Sequence, residues 1–160
     1  MVCLPLWASK VSDQEAFSLT AQVDAKDVKM SLWSLKAFKA PGPDGLYLGF
    51  FPKCWPTVGD LVVNEVRQIF SSGKMSEYLN RTLIFFIPKY IGPETPNQFR
   101  PISLCNTVYK IVTKIIVCRL RPIMGNFVSS FQAAFVLGRR GLDNVVIAQE
   151  LIHTIHRKKG

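Results

Sequence analysis

The sequence predicts an α+β fold that is mostly helical and contains one short antiparallel β-hairpin. Apolar residues recur at helical spacing in four stretches, near residues 24–36, 58–72, 106–121 and from 143 onward. One run of different period, residues 82–87, is rich in β-favouring side chains and closes at Pro88. The 48% hydrophobic content fits a packed core.

Residues 1–22 form a weakly patterned N-terminal extension. Within it, Ser12 and Glu15 have the spacing of a helix cap, and Trp7 and Phe17 are the expected packing anchors. At 160 residues the chain is one domain or part of one.

The first strong helix is predicted over residues 24–36, with Asp24 as its cap and Asp27 in its first turn. Val28, Leu32 and Leu35 form its apolar stripe.

A Pro/Gly-rich turn then ends this helix, formed by Pro41, Gly42, Pro43, Asp44 and Gly45. Such a turn can expose backbone N–H groups to an anion, or it can be a sharp corner between two elements. Both interpretations remain open at this point.

A second helix is predicted over residues 58–72, with Gly73 as its C-terminal cap. The aromatic residues ahead of it are expected in the core, namely Tyr47, Phe50, Phe51 and Trp55.

The predicted hairpin pairs residues 82–87 with the extended segment around Phe99, across a Gly/Pro-containing loop that should be mobile. Lys89 and Arg100 fall near the ends of its two strands. Pro101 biases Arg100 toward an extended backbone, which is a good way to present a guanidinium to a phosphate. The same pattern also suits an ordinary strand-to-helix junction.

A third helix is predicted over residues 106–121. Its buried stripe would contain Val108, Ile111, Val112, Ile115 and Cys118, and its basic ridge would contain Lys110, Lys114 and Arg121. Beyond it, Gly138 and Gly141 bracket Arg139 and Arg140, so that cations stand on a backbone able to approach a ligand closely. Asp143 or Asn144 is the expected cap of a last helix.

The charge of the chain is unevenly distributed. The net charge is +9, and residues 81–160 carry the whole excess, with 12 Lys or Arg against three acidic residues. This asymmetry indicates either a polyanionic partner such as nucleic acid or a solvated basic face.

The cysteines and histidines do not form a zinc pattern. Free, mostly buried thiols and the lack of a signal peptide predict an intracellular protein, nuclear or cytoplasmic and not secreted. No apolar run is long enough to span a membrane. His153 and His156 are interpreted as part of an exposed helical face, so no metal site is predicted.

Five motifs together resemble a known family. They are residues 39–45, Ile87-Pro88-Lys89, residues 99–111, Gln132-Ala133-Ala134-Phe135 with Gly138-Arg139, and Asp143-Asn144. In this order and spacing they are similar to the reverse transcriptase domain of non-LTR (LINE-type) retrotransposons, closest to plant versions. The resemblance covers residues 23–160 as a partial reverse transcriptase domain. One departure is Leu137, where the family has a proline, which leaves the stiffness of that loop open.

The resemblance implies that the chain is mainly the fingers of a right-hand polymerase, with the first helices leading into the palm. It implies that Lys89 and Arg100 meet the triphosphate of the incoming nucleotide. Lys110, Lys114, Arg139 and Arg140 are the expected nucleic-acid contacts, and the Pro41–Gly45 turn, Pro101, Gln132, Gly138, Asp143 and Asn144 are expected structural motif residues. The implied partners are an RNA template, a DNA primer and a deoxynucleoside triphosphate, and no membrane.

The resemblance also implies what this chain lacks. The complete enzyme would use Mg²⁺ held by aspartates, two of them adjacent, and no two aspartates are adjacent here. No catalytic residue and no cofactor are therefore assigned to this chain. The family is an RNA-directed DNA polymerase, but this fragment is expected to be inactive without the remainder of the polymerase domain, and to expose apolar surface alone.

Two other classes of function compete with this interpretation. The chain could be a non-catalytic basic module that binds nucleic acid, with affinity that falls steeply with salt. It could also be a helical interaction protein whose basic face is only solvated.

Overall fold

The computed structural model describes residues 10–36, 39–129, 132, 136 and 138–158. The chain divides into two compact units. The central unit is Ala21–Ile116, and the terminal unit combines Met1–Thr20 with Val117–Gly160.

The described elements are eight helices and two strands. In chain order they are α1 (Asp13–Thr20), α2 (Ala25–Trp33), α3 (Phe50–Lys53), α4 (Trp55–Ser72), α5 (Glu77–Asn80), β1 (Thr82–Pro88), β2 (Phe99–Cys105), α6 (Thr107–Leu120), α7 (Met124–Phe127) and α8 (Gly141–Lys158). A single 3₁₀ turn, Pro96–Gln98, precedes β2. This content matches the predicted mixture of helices with one hairpin, while a relation to polymerase fingers stays a prediction.

The ends of α2 and α4 follow from local capping chemistry. Asp24 accepts a hydrogen bond from the Asp27 N–H, and the Asp27 side chain accepts one from the Asp24 N–H. Gly73 closes α4 with φ of 66°, in the left-handed region where glycine has no steric penalty. Both predicted caps are confirmed, although α2 ends at Trp33, three residues before the predicted limit.

The core of the central unit lies where α2, α4 and α6 bring their apolar stripes together. Its buried side chains are Val23, Val28, Leu32, Leu48, Phe51, Val62, Val63, Val66, Ile69, Ile111, Val112 and Ile115. Trp55 packs edge-on against Trp33 at the margin, with ring centroids 5.1 Å apart. Gly59 lies against the Trp55 ring, where an added Cβ would come within 2.8 Å of the indole.

The hairpin is confirmed, and its two strands are antiparallel and in unbroken register from Thr82 opposite Cys105 to Pro88 opposite Phe99. Every residue of β1 is exposed. Phe86 and Phe99 form an edge-to-face pair across the strands, at 6.3 Å between centroids.

In the terminal unit, α1 begins with the predicted cap, since Ser12 Oγ accepts from the Glu15 N–H and the Glu15 carboxylate accepts from the Ser12 N–H. The hydrogen bonds that the Ser12 N–H and the Ser12 hydroxyl donate to the carboxylate lower the pKa of Glu15. Within the same unit, the Arg119 guanidinium donates to the Leu19 carbonyl at 3.1 Å.

Several predictions about burial are wrong. Phe17 is 77% exposed rather than an anchor, and Cys118 is exposed on α6 rather than part of its buried stripe. Tyr47 is half exposed, whereas Phe51 is buried as predicted. In each case the local pattern indicated which side chains could be buried, but the neighbouring elements decided which ones are covered.

The start of the last helix also differs from the prediction. Helix α8 begins at Gly141, so Asp143 and Asn144 lie inside its first turn and neither precedes it. Trp7 and Cys3 lie outside the described residues.

Candidate functional site

The register of the hairpin brings Lys89 and Arg100 to its distal end. Arg100 stands opposite Ile87, and the Lys89 N–H donates to the Gln98 carbonyl at 2.7 Å, which continues the pairing by one residue. Opposed residues of an antiparallel pair share a face, and so do residues two apart on one strand. Lys89 and Arg100 are therefore diagonal neighbours on one face.

The two cations differ in how their polar groups are engaged. Lys89 is exposed, and its Nζ donates to the Asn97 carbonyl at 2.8 Å, which leaves two of its three N–H donors. Arg100 is exposed, and none of the described residues accepts a hydrogen bond from its guanidinium. The pair thus offers a compact ammonium beside an unengaged planar fork, a combination suited to phosphate oxygens.

The other end of the hairpin is closed by a junction centred on Asn106, which we call the Asn106 junction. The Asn106 Nδ2 group donates to the carbonyls of Tyr78 and Leu79, at 3.0 and 3.3 Å. Its Oδ1 accepts the Asp44 N–H at 3.1 Å. Asn106 is fully buried, so these bonds satisfy an amide that would otherwise be costly to bury.

The Pro/Gly-rich turn packs directly against this junction. A Cβ added at Gly42 would meet the Cys105 carbonyl carbon at 2.5 Å and the Asn106 nitrogen at 2.6 Å. The Gly45 N–H donates to the Gly42 carbonyl at 3.1 Å, with Gly45 at φ of 68°.

The structure resolves the two interpretations of this turn in favour of the corner. The Leu46 N–H donates to the Asp44 carboxylate, and the Asp44 N–H is held by Asn106. With Gly45 also bonded, the N–H groups of residues 44–46 have partners within the fold and do not form an open anion site.

The predicted basic ridge on α6 is partly engaged in the fold. The Lys110 Nζ donates to the Ala40 carbonyl at 3.2 Å, and burial lowers the pKa of this amine. Lys114 is half-buried and Arg121 is exposed. Contact of Lys110 and Lys114 with nucleic acid stays a prediction, and Lys110 has a structural partner already.

Arg139 organises a loop of the terminal unit. Its guanidinium donates to four backbone carbonyls, those of Gly125, Val128, Ser129 and Gln132. A guanidinium with this many carbonyl partners has few N–H groups left for a phosphate. Arg140, by contrast, is exposed. The nucleic-acid role predicted for both arginines is not tested by this geometry.

The remaining motif residues are placed as follows. Pro101 lies within β2 opposite Phe86, and Gly138 has φ of 80°. Gln132 is exposed, with its carbonyl bound by Arg139. Ala133, Ala134, Phe135 and Leu137 lie outside the described residues.

Asn106 is the residue that sequence reasoning missed. In the sequence it is only the first residue of a predicted helix and a member of the motif over residues 99–111. Its actual partners lie 27, 28 and 62 residues away along the chain. A local pattern carries no signal for such partners.

Among the described residues, no three His, Cys, Asp or Glu side chains come together as metal ligands would. Within the same residues, no helix has the length and apolar content to cross a membrane.

No protein-family model matches the chain. It is 29% identical over 157 residues to the Xenopus laevis "Transposon TX1 uncharacterized 149 kDa protein". The match covers 97% of this chain and 12% of that protein, so the chain spans about an eighth of its relative. The chain is thus similar to a transposon-encoded protein.

Proposed function

We propose that this chain is part of the reverse transcriptase of a non-LTR retrotransposon, forming its fingers, and that Lys89 and Arg100 bind the triphosphate of the incoming nucleotide. The observation that carries the proposal is the hairpin register, which sets an exposed lysine and an unengaged arginine on one face at its distal end. The similarity to a transposon protein supports the same ancestry.

The chemistry of the pair fits a triphosphate. A nucleoside triphosphate presents several charged oxygens, and an arginine fork can hold two of them at once while an ammonium binds a third as a point charge. No carboxylate of the described residues forms an ion pair with Lys89 or Arg100. The ion pair found among those residues joins Arg81 and Glu77, just ahead of β1. The site therefore has net positive charge and attracts an anion.

The proposal assigns nucleotide contact to this chain and no chemistry. Phosphoryl transfer would need Mg²⁺ held by convergent aspartates, and the 160 residues contain no adjacent pair. An RNA template and a DNA primer are the partners in the complete polymerase, inside the cell. Purified protein with template, primer, Mg²⁺ and nucleotides should give no primer extension. Extension that is lost in Lys89→Ala and Arg100→Ala would contradict this part.

The binding test compares three variants of one hairpin. A deoxynucleoside triphosphate with Mg²⁺ is titrated into the protein by calorimetry. Lys89→Ala and Arg100→Ala should each weaken binding about tenfold, since a charge-assisted hydrogen bond contributes about 1.5 kcal/mol or more. Arg81→Ala is the matched control, because Arg81 is an exposed cation at the opposite end. Equal weakening by all three, or no binding by the wild type, would overturn the proposal.

A second candidate is a non-catalytic module that binds nucleic acid through its basic C-terminal half. It is favoured by the concentration of positive charge after residue 80 and by the exposure of Arg121 and Arg140. Its affinity for single-stranded RNA should fall linearly with salt on logarithmic axes. Filter binding at two salt concentrations, with Arg121→Glu and Arg140→Glu, separates it from the first candidate, which requires Lys89 and Arg100.

A further inference from the structure

Few packing contacts along the two strands of the hairpin fix its orientation. All seven residues of β1 are exposed, and four of the seven in β2 are as well. The exposed side chains include large apolar ones on both faces, such as Ile84, Phe85 and Phe86. Isolated two-stranded hairpins are marginally stable in water, so this one depends on its attachment to the helical core.

Hydrogen bonds that attach the hairpin to the helical core converge on one side chain, that of Asn106. Tyr78 and Leu79, whose carbonyls bind the Asn106 amide, lie just ahead of β1, and Asn106 itself directly follows β2. A single buried amide therefore ties the two stems of the hairpin together. The side-chain oxygen of Asn106 accepts the Asp44 N–H, and this bond connects the two stems to the turn between α2 and α3.

The junction is also sterically tight. Gly42 leaves no room for a Cβ against the Cys105–Asn106 peptide, so the turn supports that peptide from behind. Amide and turn together restrict both translation and tilt of the hairpin stems.

We infer that Asn106 is a positioning residue that sets the direction of the hairpin relative to the helical core of the central unit. The role requires an amide, because the side chain must donate to two carbonyls and accept one N–H at the same time. Aspartate has the same shape, but its ionised carboxylate cannot donate, and it would face two carbonyl oxygens.

The consequence for ligand binding rests on the proposed function, whereas the inference about direction does not. If the hairpin carries Lys89 and Arg100, its direction decides where the two cations stand. A hairpin in the competent orientation only about a tenth of the time would bind a nucleotide about tenfold more weakly.

The experiment measures the direction of the hairpin without any ligand. A ketone-bearing amino acid replaces Ile91, in the hairpin loop, and Asn64, on α4, and both are spin-labelled, which leaves the native cysteines untouched. Both positions are exposed. The wild type should give one narrow distance distribution by electron double resonance. Asn106→Ala and Asn106→Asp should broaden it or shift it to several distances.

The matched control is Thr107→Val. Thr107 is the next residue and is also fully buried, but its hydroxyl has no hydrogen-bond partner among the described residues. Its distance distribution should remain narrow. Near-ultraviolet circular dichroism from Trp33 and Trp55 reports the helical core in every variant.

The distance distributions and the tryptophan signal together either support or overturn the role of Asn106. A broadened distribution with an intact tryptophan signal, in both Asn106 variants and not in the control, supports the inference. A distribution as narrow as that of the wild type overturns it. Loss of the tryptophan signal together with the hairpin order also overturns it, because Asn106 would then be a general core residue. Intact hairpin order with no nucleotide binding would instead count against the proposed function alone.

Discussion

The helical core and the hairpin of the central unit are both rich in large apolar side chains, yet their surroundings are opposite. Ile111 and Val66 are completely buried between helices, whereas Ile84 in β1 is 60% exposed. The side-chain types do not explain this difference. Amphipathic helices bury one stripe against each other, while a two-stranded sheet has two faces and needs a separate partner for each.

Apolar content therefore indicates the capacity for burial and not burial itself. The same applies to α8 in the terminal unit, where Leu142, Leu151 and Ile152 are exposed. Exposed apolar surface on this scale is unusual for a soluble protein that functions as a monomer. The expectation that the chain exposes apolar surface is in agreement with these side chains.

The largest expected effect separates the core from the hairpin directly. Ile111→Ala should lower the free energy of unfolding by about 3 kcal/mol, because it leaves a cavity between packed helices. Ile84→Ala should change it by less than about 0.5 kcal/mol, since more than half of the side chain is already exposed to water. Urea denaturation followed by circular dichroism measures both. Equal losses would show that the hairpin is covered in solution and that its surroundings do not differ from those of the helical core.

The next effect concerns the turn that supports the hairpin. Gly42→Ala should destabilise the protein by about 2 kcal/mol, because the new methyl group meets backbone atoms that cannot rotate away. Gly125→Ala in α7 is the control, since a Cβ there meets nothing within 4 Å and alanine favours helix. Thermal melts of both variants test this. A neutral Gly42→Ala would mean that the turn and the Asn106 junction are not in tight contact.

A smaller effect lies within the hairpin. Phe86→Ala removes the edge-to-face contact with Phe99 and should weaken the hairpin by about 1 kcal/mol. Amide hydrogen exchange should accelerate in β1 and β2 and remain unchanged in α4 and α6. Acceleration in the helices as well would show that hairpin and core unfold as one unit.

The smallest effect is a pH dependence at Lys110. Burial lowers the pKa of Lys110 in the folded protein, so the unfolded chain binds this proton more tightly. The resulting loss of folding stability is complete below the pKa of the folded protein. It disappears as the pH rises from this pKa to that of the unfolded chain. The stability of the wild type should therefore rise relative to Lys110→Met over this alkaline range, as measured by denaturation at several pH values. A constant difference would show that the amine is fully solvated.

Much of the fold was predictable because its signals are local. Asp24 and Gly73 cap their helices through bonds made within one turn, and the β-favouring run of residues 82–87 marks β1 by its composition. The position of Lys89 and Arg100 near the strand ends followed from the same local pattern. Their place on one face needed the register.

Burial was predicted less well, because it depends on what other elements cover. Phe17 has the chemistry of a core residue and is exposed, and Cys118 continues the periodicity of α6 beyond the part that packs. The structural contacts of Lys110 and Arg139 were not predicted for a related reason, since backbone carbonyls from other segments accept their hydrogen bonds.

Residues close together in the sequence were enough to predict α2, α4, α6 and α8, the caps at Asp24 and Gly73, and the hairpin. The uneven charge and the motifs that resemble a reverse transcriptase are likewise visible without the structure. All of these depend on residues within a few positions of each other or on composition. By contrast, the closed corner at the Pro/Gly-rich turn and the three segments joined by Asn106 became visible only in the folded chain. The physical reason is that a buried amide must find partners in three dimensions, and here those partners are distant along the chain.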